Sequence, residues 1–332
     1  MLMGEKLRVF IKNLNPYSCA ILCHHNADPD AICSAYALSK LIKKLLNHKV
    51  EVRIIAPEGI SLPSRRLIEC ISEINIYDDF DESDLIFMVD TCTFIQLGTL
   101  CERIKSCNIP IIVIDHHTPH SDILEKASLL IIDENASSTS EIICNIFNEL
   151  GFKIEEKIAF ALLIGIIYDS RRFINVSSRT FRIVSNLIDA GANYSEALKL
   201  LYIPMDISER IARLKAAQRL KIHRVNNWII ITSHVSSFEA SAARALIDLG
   251  ADVAFVAGGN KSKLRISARS RSSFYNQTKI HLGKDLMEEI GARINGAGGG
   301  HATAAGANGI GDPEEVLELC VKLLVEKLGQ NN

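Results

Sequence analysis

Hydrophobic and polar positions divide the chain into two regimes. Through the first 190 residues, short continuous apolar runs alternate with segments whose apolar positions recur at helical spacing. Residues 19–25 read as a buried strand. A helix follows over residues 31–46, with Lys40, Lys43 and Lys44 on its polar side. Residues 50–56 form a second strand, and Pro57, Gly59 and Pro63 mark the loop after it. The apolar run 85–89 ends in Asp90, and the run that reaches Asp115 delivers His116 and His117 directly behind it. A further short strand spans 129–132. The hydroxyl-rich stretch Ser137, Ser138, Thr139, Ser140, Glu141 then caps a helix that runs to Leu150 and stops at Gly151. An apolar helix over 153–167 arrives at Tyr168 and Asp169, and another over 178–190 ends at Gly191. Strands alternating with helices in this way predict an α/β fold with a doubly wound parallel sheet.

The pattern changes after residue 190. Residues 191–221 hold two helical patterns separated by Pro204 and read as a connector. Short strands are then expected at 228–232, 253–257 and 264–268, with helices at 238–249 and 282–294. A glycine-rich run from Asn295 to Gly306 and a last helix over 313–328 close the chain, and residues 329–332 are expected to fray. The domains are therefore expected at 1–190 and 222–330, the second a smaller α/β domain on a mixed sheet.

A length of 332 residues suits two cores. Lys and Arg number 37 against 39 Asp and Glu, which leaves no net positive charge to hold long nucleic acid by phosphate neutralisation. A stable long nucleic-acid partner is therefore not expected, whereas a short anionic ligand is allowed. The nine cysteines contain no C-x-x-C pair and read as reduced, buried thiols of a cytoplasmic protein. Met1–Lys12 lacks the apolar core of a signal peptide, and the longest apolar run is about half a membrane span, so no membrane partner is expected.

Candidate chemistry begins at the first strand end. His24, Asp28 and Asp30 follow it in the spacing H-x-x-x-D-x-D, where Pro29 can open a helix. With Asp90, His116 and Asp169 they make two imidazoles and four carboxylates on loops at one edge of one sheet, which is where open α/β sheets bind ligands. A single Asp at a strand end is ordinarily a cap or turn residue. Their joint occurrence has no common packing explanation, and clustered carboxylates repel unless cations neutralise them. Six donors exceed one tetrahedral zinc, and His with Asp but no Cys favours Mn²⁺, with Mg²⁺ or Co²⁺ as substitutes. Two ions sharing one carboxylate suit in-line displacement at phosphorus. The chemistry this points to is phosphoester or phosphoanhydride hydrolysis.

The segments His24-x-x-x-Asp28-x-Asp30, Val89-Asp90-Thr91, Asp115-His116-His117 and Tyr168-Asp169-Ser170 resemble, in order and spacing, the four motifs of the DHH phosphoesterase superfamily. That superfamily includes RecJ exonucleases, nanoRNase/pAp phosphatases, cyclic dinucleotide phosphodiesterases and family II pyrophosphatases. The run Gly298-Gly299-Gly300-His301 is similar to the signature of the DHH-associated C-terminal domain. The resemblance implies that His24 and Asp28 bind one Mn²⁺, that Asp30, His116 and Asp169 bind the other, and that Asp90 bridges them. It further implies that His117 faces the scissile phosphate and that Asp115 fixes an imidazole tautomer. Arg269, Gly298, Gly299, Gly300 and His301 would hold substrate phosphate or nucleobase, with Arg265, Arg271 and Arg172 as weaker candidates. Substrate is expected in a cleft between the two domains.

The segment from Gly300 to Gly306 departs from the H-K-N-A-S-G form of nanoRNase-type enzymes toward the RecJ form, and Ala27 stands where many relatives carry Pro. The first expectation is a Mn²⁺-dependent phosphodiesterase or exonuclease acting on short oligonucleotides or small nucleotides (nanoRNA, pAp, linear or cyclic dinucleotides). Alternatives are a RecJ-like single-strand exonuclease, a family II-type pyrophosphatase and a non-catalytic nucleotide sensor. A homodimer is compatible with the sequence. His25, His48, His120, His223, His234 and His281 lack motif support and read as ordinary surface or hydrogen-bonded histidines.

Overall fold

The computed structural model describes residues 2–330 apart from 47–48, 81–82 and 175. The chain divides into two compact units, Met1–Ile203 and Pro204–Asn332.

In the first unit the helix Met3–Leu14 (α1) precedes the strand Ser18–Leu22 (β1), the helix Pro29–Leu45 (α2) and the strand Glu51–Ile55 (β2). Leu62–Cys70 (α3) and Ile76–Tyr77 (β3) lead to the strand Leu85–Val89 (β4), the short helix Cys101–Ser106 (α4) and the strand Ile111–Asp115 (β5). Ser121–Lys126 (α5) and Leu129–Ile132 (β6) complete the sheet, and four helices follow: Thr139–Glu149 (α6), Glu156–Asp169 (α7), Ser178–Asp189 (α8) and Tyr194–Leu201 (α9). The six strands run in the order β3-β2-β1-β4-β5-β6, every pair parallel. One face packs on α2, α6 and α7, and the other on Phe94, Leu97, Ile104 and Ile123. A sheet covered on both faces explains why its strands are continuous apolar runs. The helix α7 has no polar stripe because α2, α6, α8 and α9 surround it.

Two readings of the sequence change here, and one helix is added. Pro63 is not a loop marker: it lies in the first turn of α3, behind the cap Ser61, where a missing N–H leaves no bond unmade. The amphipathic α1 buries Leu7 and Ile11. The thiols are unequally sheltered: Cys19, Cys23, Cys33, Cys144 and Cys320 are buried, whereas Cys92, Cys101 and Cys107 are partly exposed and Cys70 is exposed.

The second unit opens with the helix Ile207–Gln218 (α10), the strands Lys221–Val225 (β7) and Trp228–Val235 (β8), and the helix Glu239–Asp248 (α11). Next come Val253–Asn260 (β9), Lys263–Ser270 (β10), the helix Ser272–Thr278 (α12) and a wide helical turn over 282–287 that runs into Glu288–Arg293 (α13). The strands Ala297–Gly300 (β11) and Ala304–Gly309 (β12) precede the last helix, Pro313–Gln330 (α14). The sheet order is β11-β12-β10-β9-β8-β7, mixed because β8 and β9 are parallel and the other pairs antiparallel. The glycine-rich run is therefore not a loop but a hairpin at the sheet edge. Residues 191–221 do not stand apart as a connector: α9 packs on α7 and α3, and Arg66 donates to the carbonyl of Tyr202 at 2.6 Å, while α10 packs on α11 and β8.

Candidate metal centre

In the first sheet the strand order reverses between β1 and β4, which are hydrogen-bonded neighbours, and ligands of open α/β sheets gather at such a point. His24 lies just beyond β1, Asp90 directly after β4 and His116 directly after β5. Asp90 takes a left-handed backbone, φ 53°, at the strand end. That conformation is tolerable for Asp and turns its carboxylate into the cluster.

Three overlapping groups emerge: His24 with Asp28 and Asp90, and Asp30 with His116 and Asp169, form two separate donor sets, and a third joins Asp90 and His116 to Asp115 and His117. Asp90 addresses both donor sets through different oxygens. Its Oδ2 lies 4.0 Å from His24 Nε2, and its Oδ1 lies 3.6 Å from His116 Nε2. His24 Nε2 is 3.8 Å from Asp28 Oδ1. Separations of this size suit donors that share an ion at roughly 2 Å from each. The His24 Nδ1 donates to the His25 carbonyl at 2.8 Å, which leaves Nε2 as the free lone pair facing the carboxylates. His116 Nε2 is buried without a hydrogen-bond partner, although Asp169 Oδ2 approaches to 2.9 Å, because that approach lies off the N–H direction. A buried lone pair aimed among carboxylates, in a His and Asp donor set, fits a divalent cation.

Electrostatics point the same way. Burial, then the charges of Asp169 and Asp28, push the Asp30 carboxyl up to about 7 against the opposing Ser140 hydrogen bond. Burial and the neighbouring Asp30, Asp28, Asp115 and Asp169 hold Asp90 well above the ordinary carboxylate range. Burial works against charge on His116, but Asp169, Asp30 and Asp115 outweigh it and raise its imidazole to about 9. The protein has concentrated negative charge that only cations or protons can relieve.

Two carboxylates also serve helix ends. Asp28 caps α2, with Oδ1 accepting from the amides of Asp30 at 2.9 Å and Ala31 at 3.1 Å. Asp30 reaches across to α6, accepting from the Thr139 amide at 2.7 Å and the Ser140 amide at 3.0 Å. Two helix N-termini thus converge on the acidic cluster and offset part of its charge. The Thr139 hydroxyl donates to Asp90 Oδ1 at 3.0 Å. Gly165 of α7 makes room for this arrangement: a Cβ there would overlap the Ser140 hydroxyl and lie 2.6 Å from Asp30 Oδ1. The hydroxyl-rich stretch before α6 was the sequence signal for these residues, and capping alone did not reveal their reach.

Asp169 is the last residue of α7 rather than a loop residue. Behind it Arg171, Arg172 and Phe173 form a left-handed turn, with φ of 50°, 58° and 68°. Asp115 is fully buried, and its Oδ1 accepts from the amides of His116 and His117 and from His117 Nδ1 at 2.8 Å. His117 is half exposed, with Nε2 turned away from that bond. Local partners account for several other histidines. His25 meets the Gln96 carbonyl, His120 meets Asp122, His223 meets Thr232, and His281 caps the turn at Lys284. His234 is partly buried, and His48 lies outside the described residues.

In the second unit, Ser267, Gly306 and Gly299 are cross-strand partners in one row, flanked on the same sheet face by Arg269 opposite Ala304 and by Arg265 opposite Asn308. Gly299 faces open space, whereas Gly298 and Gly300 point to the opposite face, where a Cβ on Gly298 would overlap the Met287 carbonyl oxygen. Of the three, only Gly299 has room for a Cβ, while Gly298 and Gly300 are packed against neighbouring backbone. Arg269 is partly buried and makes no ion pair among the described residues. Burial and the nearby Arg244 lower its affinity for its proton. His301 is exposed at the hairpin tip. Arg265 pairs with Glu239 at 2.9 Å, and Arg271 donates to the Ala251 carbonyl.

Comparison with known proteins agrees with this geometry. Residues 18–166 match the DHH family N-terminal domain, and residues 234–330 match the DHHA1 domain. The chain is 40% identical to the uncharacterized protein MJ0988 of Methanocaldococcus jannaschii over 92% of this chain and 94% of that protein. It is 27% identical to the cyclic-di-AMP phosphodiesterase PdeA of Listeria monocytogenes, over 86% of this chain but only 44% of that longer protein. Among solved structures, an exopolyphosphatase-related protein from Bacteroides fragilis shares the fold over 99% of this chain and 96% of its own, with a TM-score of 0.66 at 19% identity. No described helix is long and apolar enough to cross a membrane. A parallel sheet with its acidic and imidazole cluster at the reversal of strand order, followed by a mixed-sheet DHHA1 unit, makes this chain a member of the DHH superfamily of phosphoesterases.

Proposed function

We propose that this chain is a Mn²⁺-dependent phosphodiesterase that hydrolyses short oligonucleotides or small nucleotides, including pAp and linear or cyclic dinucleotides. The observation that carries the reading is Asp90, whose two oxygens address His24 and His116 separately and so join the two donor sets. His24 and Asp28 would hold one ion, Asp30, His116 and Asp169 the other, and Asp90 would serve both. When bound, such ions lower the pKa of a water and offset charge at phosphorus. The Asp115 carboxylate accepts from His117 Nδ1 and orients the ring, so that Nε2 is the ring atom left to face the scissile phosphate. Arg269, the open backbone at Gly299 and His301 supply cation and donors for a further phosphate or a base. Relatives named as cyclic-di-AMP phosphodiesterases support a small-nucleotide substrate, although this chain spans less than half their length.

The test is to incubate the protein and Asp90→Asn with Mn²⁺ and pAp, pApA, cyclic di-AMP, long single-stranded DNA or pyrophosphate. Turnover of one of the first three, reduced in Asp90→Asn by at least about 100-fold, is the expected result, since even the outer partners of metal ligands cost 10- to 100-fold. Preference for long DNA points to a RecJ-like exonuclease, and preference for pyrophosphate to a pyrophosphatase. Absence of any turnover favours the nucleotide-sensor reading.

A further inference from the structure

We propose that Thr139 is a positioning residue that couples the two ion sites. The proposal rests on the two-metal reading above and extends it to a residue outside the donor sets. Thr139 is fully buried at the first position of α6 and touches one donor of each set. Its amide donates to Asp30 Oδ2 at 2.7 Å, and its hydroxyl donates to Asp90 Oδ1 at 3.0 Å. A hydroxyl carries one proton, and here it goes to the oxygen that faces His116, which leaves Oδ2 directed toward His24. One residue thereby sets the rotation of the carboxylate that serves both ions and the placement of a carboxylate that serves one.

Ordinary helix capping does not account for this hydroxyl. The cap of α6 is Ser138, whose side chain accepts from the Glu141 amide at 3.1 Å. The two amides before it are taken by Asp30. The segment is also pinned from behind. Glu141 is fully buried; its Oε2 accepts from the Ser137 amide and hydroxyl and from the Thr180 hydroxyl, and its Oε1 takes the Arg179 Nε at 2.7 Å. Arg179 in turn holds Asp133 at 2.7 Å, so the turn that carries Thr139 is tied to α8 at both ends. On the opposite side the bare Gly165 leaves no slack between α7, Ser140 and Asp30. Thr139 therefore cannot drift to follow the carboxylates: they must come to it.

The experiment compares wild type, Thr139→Val and Thr139→Ser by calorimetric Mn²⁺ titration of the substrate-free protein, with a thermal melt for each and steady-state kinetics on the best substrate. Val keeps the shape and the amide bond but removes the hydroxyl, and Ser restores it. The expected result is a folded Val variant with both Mn²⁺ affinities weakened about 10- to 100-fold, as for other partners that orient metal ligands, and recovery to within a few-fold in Ser. kcat should fall in Val with KM nearly unchanged, since substrate contacts are untouched. Wild-type affinities in Val, weakening of one ion alone, or a Ser variant that behaves like Val would each overturn the coupling role. Should Val not fold, Thr139→Ala against Thr139→Ser makes the same comparison. A wild-type protein that takes up no Mn²⁺ refutes the metal centre itself, a result distinct from any failure of Thr139.

Discussion

At the candidate metal centre, four of the six proposed donors are braced by hydrogen bonds from outside the cluster's own charges: Asp28 by its own helix, Asp30 by α6, Asp90 by Thr139, His24 by a backbone carbonyl. In the β11–β12 hairpin of the second unit nothing comparable exists among the described residues. There the backbone is held by having no side chains, with Gly298 lying against Met287 and Gly291 against Gly298. The first region fixes its donors with backbone amides, one carbonyl and the buried Thr139 hydroxyl, so a shift of the segments that carry them reaches the donors directly. The second fixes only a backbone path and leaves Arg265, Arg269 and Gly299, around the buried Ser267, open to substitution. On the proposed function, the reacting groups are held in one unit's interior, while the other offers a surface whose recognition properties can vary.

The sharpest way to break this comparison is at Asp90. Asp90→Asn should lose at least about 100-fold in turnover with little change in melting temperature, because it removes an unfavourable buried charge along with the bridging oxygen. Unchanged turnover would show that the braced cluster is not the reacting centre. Next is Gly298→Ala, where the new methyl meets a backbone carbonyl that cannot move aside. A loss of about 3 kcal/mol in denaturant unfolding of the second unit is expected, at the upper end for overpacking, with Mn²⁺ titration of the protein unaltered. Retained stability would show that the hairpin is not held by close approach.

A pH series separates the two regions further. Asp30 and His116 are both raised in the folded state, to about 7 and about 9, above their unfolded values. The folded form then binds more protons than the unfolded one between about pH 4 and 9, so metal-free stability falls as pH rises through that window. Saturating Mn²⁺ supplies the missing positive charge, and its gain in melting temperature should be larger at pH 8 than at pH 5.5. A gain independent of pH would count against the cluster as the binding site. Smallest are changes on the open face: Gly299→Ala and Arg269→Ala should leave stability within about 0.5 kcal/mol and raise KM several-fold at similar kcat. A fall in kcat at constant KM would move those residues into the chemistry.

The long strands of the first sheet and the candidate donors were legible because His24, Asp90, His116 and Asp169 come at the ends of apolar runs and Asp28 and Asp30 flank Pro29 at a helix start, whereas the short strands β3 and β7 carry too few apolar residues to stand out. Two kinds of feature were hidden. The hairpin gives no alternating pattern, since glycine and alanine mark neither face, and only the register separates Gly299 from its neighbours. The role of Thr139 was masked because a run of hydroxyls looks the same whether it caps its own helix or reaches residues 49 and 109 positions away. Pro63 misled for a similar local reason: a proline in the first turn of a helix and a proline in a loop differ only in the residues that come after them.

The neighbouring placement of β1 and β4 has an architectural consequence. Everything beyond α2 and before β4 in sequence, including β2, α3 and β3, is an excursion to one flank of the sheet, and the loop between β1 and α2 is clasped to it where Ala27 meets Gly59, Ser61 and Ser64. Beyond α3 the excursion is tied back at Glu73, which pairs with Lys40 and Lys157, and at Asp84, which accepts from the Ser18 amide, so any insertion there must leave both ties in place to keep His24 set against Asp90.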